Sequence, residues 1–333
     1  MEIYKDYLNL IKEAVDSDPL YQKEIKSELY TSRSPEKLYQ LRSRYSNKEI
    51  APSLAKLAGK LNRDIDFSQQ LGLHPSFKHL KATNNTEEHY IVSAFIDIKG
   101  STNLFRRFDK ETIHLIVEAI LKAGIHTALI FGGYVHRLQG DGLFLYYGGK
   151  NISKSEAVLQ CLQMVSVYSH FIQNDLKDYF RENGIEGISV RSGIDLGDSP
   201  DVLWVNSGIG NISEVTTCSL HTSLASKMQG NANSNGVVVG DNIIKEVDFE
   251  DLFTPVCHRT NDENDRYIFE IPEKKFRYTQ YDFNWIKFLK LQDFIALDRL
   301  GNVFLKNQDY SSESAEYLKP IAETNKPYFG YEK

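Results

Sequence analysis

The feature that most restricts this chain is a change of hydrophobic period that begins at Tyr90. Tyr90-Ile91-Val92-Ser93-Ala94-Phe95-Ile96 is a short β-rich run with the pattern of a strand covered on both faces. A helical pattern follows, in which Ile113, Ile116, Val117, Ile120, Leu121, Ile125, Ala128 and Leu129 recur at the spacing that turns one stripe toward a sheet. Residues 134–138 and 143–147 then flank Gln139-Gly140-Asp141-Gly142, and Asp-Gly between two such runs predicts a hairpin whose central residues take positive φ. A second helical pattern carries Val158, Leu159, Leu162, Val165, Phe171, Ile172 and Leu176, and it leads to residues 188–194 and 202–205, expected as a strand pair. A short helix around 215–228, a strand at 236–239 and a closing strand at 266–271 complete the rhythm. The order predicts an α+β fold with helices packed on a mostly antiparallel sheet.

Ahead of this region, residues 1 to about 86 read as a helical N-terminal extension, with apolar positions at Leu8, Ile11 and Val15 and again at Leu54, Leu57, Ala58, Leu61 and Ile65. Ser34-Pro35 supplies a cap followed by proline at the first helical position. The polar stretch from Lys81 to Thr86 reads as a linker, which places the main domain at 87–272 and a C-terminal extension at 273–333. Within that extension residues 283–305 are read as a helix or an oligomer contact, and the tail from Asn307 as loosely ordered. A net charge of −6 leaves no basic footprint, so direct nucleic-acid binding is not expected. The charged start and the lack of a long apolar run predict a cytoplasmic protein without membrane binding. Cys161, Cys218 and Cys257 lack metal-ligand spacing and read as reduced thiols.

Chemistry concentrates in two segments. In Phe95-Ile96-Asp97-Ile98-Lys99-Gly100-Ser101-Thr102 a carboxylate ends a buried strand and is followed by glycine and two hydroxyls. A strand end that feeds a glycine turn and then a helix presents backbone N–H groups to an anion, and a carboxylate beside that cradle is repulsive unless a divalent cation lies between. The second segment, Leu138-Gln139-Gly140-Asp141-Gly142-Leu143, places another carboxylate at a hairpin tip 44 positions later. If the first strand lies beside the hairpin, the two carboxylates emerge at one edge and could hold two cations over a triphosphate.

Phe95-x-Asp97-Ile98-x-Gly100-Ser101-Thr102, a long helix, Gly132-Gly133 and Gly140-Asp141-Gly142 together resemble the class III adenylate and guanylate cyclase catalytic domain. Further matches follow in order: Arg191-Ser192-Gly193-Ile194-Asp195-Leu196-Gly197, Ala225-Ser226-Lys227-Met228 and the strand 236–239. The resemblance spans roughly residues 88–272. It implies a ferredoxin-like core, two metal-holding carboxylates at Asp97 and Asp141 with the backbone of Ile98, and Mg²⁺ or Mn²⁺ as cofactor. It further implies phosphate binding by Lys99, Gly100, Ser101, Thr102 and Arg259, with His258 as the alternative, and a homodimer with sites at the interface. The transition-state pair falls on Ser223 and Lys227, where the family has asparagine and arginine.

The base positions depart from the purine pattern. Arg137 stands four residues before Asp141, where purine cyclases carry lysine or glutamate, and Thr216 or its neighbour Thr217 stands at the partner position, aspartate in adenylate cyclases. Arg137 donating to O4 and a threonine hydroxyl accepting from N3–H suit uracil. The chain thus resembles the pyrimidine cyclases of bacterial antiphage Pycsar systems, which implies UTP as substrate, cyclic UMP as a second messenger and a separate effector. A cytidylate cyclase and a catalytically weak nucleotide sensor are the alternatives. A diguanylate-cyclase reading lacks its acidic signature, since Tyr134-Val135 follows Gly132-Gly133.

Overall fold

A computed structural model of the chain describes residues 2–26, 34–45, 51–248, 250–257 and 260–306. Four helices come first, α1 (Lys5–Asp16), α2 (Pro19–Lys26), α3 (Pro35–Tyr45) and α4 (Pro52–Lys60). Helix α3 starts at the proline of the Ser34-Pro35 pair, and α1 buries Tyr7, Ile11, Ala14 and Val15 along one stripe. The helical extension ends at Lys60 rather than near 86, because residues 62–86 are turns with one short 3₁₀ segment. That stretch covers the sheet, with Phe77 stacked on Trp204 at 3.9 Å between ring centroids.

Strands β1 (Glu87–Glu88) and β2 (Ile91–Lys99) lead through a 3₁₀ turn (Ser101–Arg106) to α5 (Lys110–Ile130). Asp109 caps α5 by accepting the Thr112 amide at 2.7 Å. The hairpin β3 (Tyr134–Gln139) and β4 (Gly142–Tyr147) follows, then α6 (Lys154–His170), a π-helical turn (Phe171–Leu176) and α7 (Lys177–Glu182). Next come β5 (Ser189–Gly197), β6 (Val202–Ile209), β7 (Ile212–Ser219), α8 (Leu220–Asn231), β8 (Val237–Gly240), α9 (Asp241–Ile244) and β9 (Phe253–Pro255). The chain closes with β10 (Tyr267–Ile271), β11 (Phe276–Phe283), α10 (Trp285–Lys290), β12 (Ile295–Leu297) and β13 (Val303–Leu305). The tail from Asn307 lies outside the described residues.

The main sheet runs β10-β11-β8-β5-β2-β4-β3, with β9 on β11; β5 and β8 are parallel and the other neighbours antiparallel. The sheet therefore continues past 272, and the expected boundary falls between two of its strands, β10 and β11. Residues 188–194 and 202–205 do not pair. Both edges of β5 are taken by β2 and β8, so β6 leaves the plane through a 3₁₀ turn (Ser199–Asp201) and joins β1 and β7 in a second sheet. The expected helix around 215–228 is two elements, because Val215-Thr216-Thr217 is β-branched and extended, and Ser219 caps α8 by accepting the His221 amide at 3.2 Å.

Alternate residues of β2 face opposite sides. Val92, Ala94, Ile96 and Ile98 join the core under α5 and α6, whereas Phe95 joins the cluster under β6, β7 and α8. Contrary to the sequence reading, α5 is long and apolar enough to cross a membrane, but most of it is buried in the core between the sheet and α1.

Candidate active site

The β2–β4 ladder sets Asp97 opposite Gly142, so Asp97 and Asp141 adjoin at the same end of neighbouring strands. Gly140 takes φ 64° while Asp141 does not have positive φ, so the turn has glycine at its first central position and does not itself require an aspartate. The paired positive φ angles expected from Asp-Gly are absent. Arg191 stands opposite Asp97 on β5, and its Nη2 lies 2.7 Å from Asp97 Oδ2. Gln229 Nε2, from α8, donates to the same oxygen at 3.3 Å. The Ser101 hydroxyl donates to Asp141 Oδ2 at 2.5 Å.

These contacts fall on one oxygen of each carboxylate, and two adjacent carboxylates are the hard oxygen donors that divalent ions such as Mg²⁺ take. Among the described residues no group of three or more His, Cys, Asp or Glu side chains converges as a metal centre. Two carboxylates do not complete a coordination shell, so a cation here needs further oxygen from backbone, water or a bound phosphate. Gly100 adopts φ 92°, and a Cβ there would stand 3.3 Å from the Gly187 carbonyl, so glycine alone turns the chain cleanly into Ser101. A six-residue 3₁₀ turn follows first, and the expected long helix, α5, begins at Lys110. Lys99 and Thr102 are exposed on this rim. Arg259 and His258 lie outside the described residues.

A bulge shapes the neighbouring strand. Val135 pairs with Leu145 and Arg137 with Phe144, so His136 is the extra residue of β3 and both His136 and Arg137 reach toward β7. Arg137 Nε donates to Glu214 Oε2 at 2.6 Å, and its terminal nitrogen pairs with Oε1. Thr216 Oγ1 lies 3.1 Å from His136 Nε2, so the hydroxyl expected to meet a base is already engaged. Burial, then the Arg137 charge, pulls His136 down to about 3, and burial with the His89 charge pulls His74 down to about 3.

In both histidines the folded pKa lies below the unfolded value, so the unfolded state binds the extra protons and stability is lost as pH falls below about 6.5. Roughly 1 to 2 kcal/mol is expected from each by pH 5. Thermal unfolding followed from pH 7 to 5 checks this, and a flat midpoint in the wild type and in His136→Gln alike would count against it.

Helix α8 lies almost in contact with β5. A Cβ at Gly193 would sit 2.1 Å from the Ala225 carbonyl, so the backbones meet where only glycine fits. The opposite side of α8 bears Ser223 and Lys227, both exposed, and the residue that reaches Asp97 from this helix is Gln229. Ser223 and Lys227 are thus not gathered around their own chain's carboxylates. Glu214, His136 and Gln229 escaped the sequence reading, and Arg191 entered it only as part of a matching strand, without a role at the site. Glu214 had a signal, since residues two apart on a strand share a face and Thr216 was already singled out.

No protein-family model matches the chain. A cytidylate cyclase of Staphylococcus aureus is 32% identical over 308 residues, covering 91% of this chain and 68% of that protein. Two cytidylate cyclases of Escherichia coli are 31% and 28% identical over 72% and 62% of this chain, which spans 53% and 46% of their lengths. Among solved structures, the adenylyl cyclase CyaB of P. aeruginosa superposes with a TM-score of 0.48 at 17% identity, over 60% of this chain and 95% of its own. The guanylyl cyclase Cya2 gives a TM-score of 0.47 at 12% identity, over 60% and 93%.

Proposed function

The chain belongs to the class III nucleotidyl cyclases, and from that premise we propose that it closes CTP into 3′,5′-cyclic CMP with release of pyrophosphate. The observation that carries the choice of base is the Arg137–Glu214 pair. A carboxylate only accepts, and cytosine offers it the two hydrogens of N4, while N3 and O2 accept from a guanidinium. Uracil presents the O4 acceptor where cytosine has that amine. The earlier expectation of uracil rested on a threonine hydroxyl as sole acceptor; Glu214 adds beside Arg137 a carboxylate, whose oxygens keep lone pairs for a base amine and which, unlike a hydroxyl, cannot donate. The relatives named cytidylate cyclases support the same choice.

In the proposed reaction the 3′-oxygen forms a bond to the α-phosphorus as the bond from that phosphorus to the β-phosphate bridge oxygen breaks; the hydroxyl proton leaves to solvent. Asp97 and Asp141, with the Ile98 carbonyl, would hold two divalent cations, Mg²⁺ or Mn²⁺, which supply acidification of the attacking hydroxyl and neutralisation of the triphosphate. Arg191 balances the Asp97 charge until substrate arrives. Lys99, Ser101 and Thr102 line the phosphate rim, and Arg137 with Glu214 orients the base.

Lys227 neutralises charge on the α-phosphate as a point charge rather than a fork, with Ser223 beside it. Because both project away from their own chain's carboxylates, the reading includes a homodimer in which each copy's α8 serves its partner's substrate. Ile209 and Ile212, 86% and 88% exposed at the end of the β6–β7 hairpin, support such a contact. The product is proposed as a second messenger for a separate effector in antiphage defence, made in the cytoplasm.

The test incubates the purified chain with CTP, UTP, ATP or GTP plus Mn²⁺ or Mg²⁺ and identifies cyclic products by mass. Cyclic CMP in excess is expected. Cyclic UMP in excess would reverse the base assignment, and nucleotide binding without any cyclic product would leave a sensor.

A further inference from the structure

Helix α8 is tied to the sheet at its first turn by groups that the proposed reaction leaves without a role. Asp195 on β5 is completely buried, at 0% exposed. Its Oδ2 lies 2.8 Å from His221 Nδ1, in the first turn of α8. Its Oδ1 accepts the Tyr278 hydroxyl at 2.7 Å and the Leu196 amide at 2.9 Å. Tyr278 comes from β11, and its oxygen also accepts the Asn242 amide at 3.1 Å. A Cβ at Gly240 would stand 2.1 Å from Asp195 Oδ1, so the carboxylate is closed off from that side as well.

A buried carboxylate is costly unless paired and fully hydrogen-bonded, and this one is satisfied only while β5, α8 and β11 stay in register. His221 is faced by Asp195 from β5, by Asp198 and Asp201 from the turn after β5, and by Tyr278 from β11; Tyr278 is also near Asp241 at the start of α9. Burial pulls the His221 imidazole down, but the Asp195 hydrogen bond and charge outweigh it and raise the pKa above the ordinary value.

We propose that Asp195, His221 and Tyr278 form a clamp that positions α8, and that His221 and Tyr278 are positioning residues for Ser223 and Lys227. The same helix reaches Asp97 through Gln229, so a tilt at the first turn disturbs both ends of the reacting assembly. A misplacement of about 1 Å costs roughly 100-fold in a reaction that depends on alignment. On losing its proton from Nε2, His221 keeps the Nδ1–H bond to Asp195 but loses the charge that strengthens it, so the clamp weakens as pH rises through the raised pKa and turnover acquires an alkaline limb. This inference rests on the cyclase reading for the function of α8, though not for the geometry of the clamp.

The experiment uses the full chain with Tyr278→Phe, which keeps the packing and removes the hydroxyl, and His221→Gln, which keeps a hydrogen bond without titrating. Expected are a fall of about tenfold in kcat for each with KM for CTP within twofold, and loss of the alkaline limb in His221→Gln. Hydrogen exchange of the amides of residues 220–224 should quicken in both variants, and in the wild type above the His221 pKa. Unchanged kcat, limb and exchange would overturn the clamp, and so would a lowered melting temperature with kcat per folded molecule and limb intact. If the wild type makes no cyclic nucleotide, the cyclase reading fails separately and the exchange data alone decide the clamp.

Discussion

Asp97→Asn and Asp141→Asn are each expected to lower kcat for cyclic CMP formation by at least on the order of 1,000-fold, with the fold retained. Asparagine matches aspartate in volume and can still accept from Ser101 or Gln229, so the hairpin and the β2–β4 ladder have no reason to move. What disappears is one negative charge from the pair that, in the proposed reaction, would hold cations over the triphosphate. In Asp97→Asn the Arg191 guanidinium also loses its counter-charge, and its uncompensated positive charge further disfavours a metal cation at the site. Steady-state turnover with CTP, Mn²⁺ titration followed by electron paramagnetic resonance, and circular dichroism check the three parts of this result. Full turnover in both variants would remove these carboxylates from the chemistry.

Glu214→Gln is expected to reduce the preference for CTP over UTP by about 100-fold, measured as the ratio of kcat/KM values. The arithmetic is that of one hydrogen-bonding group that a bound base would close off from water, about 1 to 3 kcal/mol per mismatched partner. A glutamine amide can turn either its oxygen or its NH₂ outward, so it accepts from cytosine N4 or donates to uracil O4 and no longer selects. Arg137 loses its bidentate partner in the same variant, so part of any fall in CTP turnover comes from a loosened guanidinium. Arg137→Lys separates the two, because a lysine cannot form the planar fork but leaves Glu214 an acceptor. An unchanged CTP to UTP ratio in Glu214→Gln would place base selection elsewhere.

The strand-helix-hairpin core and the adjacency of Asp97 and Asp141 were legible because local patterns carry them: a buried run, an amphipathic helix and a turn with glycine. The base side was not. Arg137 and Glu214 are 77 positions apart, and their meeting depends on a bulge at His136 that no periodicity announces. Reading 215–228 as one helix hid Glu214, since only a strand puts it on the face of Thr216. Strand β11 escaped for a different reason: two of its buried positions are Tyr278 and Gln280, polar side chains that the core accepts because they are hydrogen-bonded. Gln280 donates to the Asp265 carbonyl at 2.7 Å and accepts from Asn231 at 3.0 Å. A binary pattern built on apolar residues passes over such a strand.

The place of β11 in the sheet also bears on how the molecule is made. A strand that enters between β8 and β10 is the last long strand of the main sheet to leave the ribosome, so during synthesis β8 waits with an unpaired edge and Val237–Gly240 on display. Until residue 278 emerges, the Asp195 carboxylate also lacks one of its hydrogen-bond donors. The nascent chain is therefore most prone to stray pairing in the interval before β11 emerges, and closure of its sheet is a long-range event that a chain released before that strand never reaches.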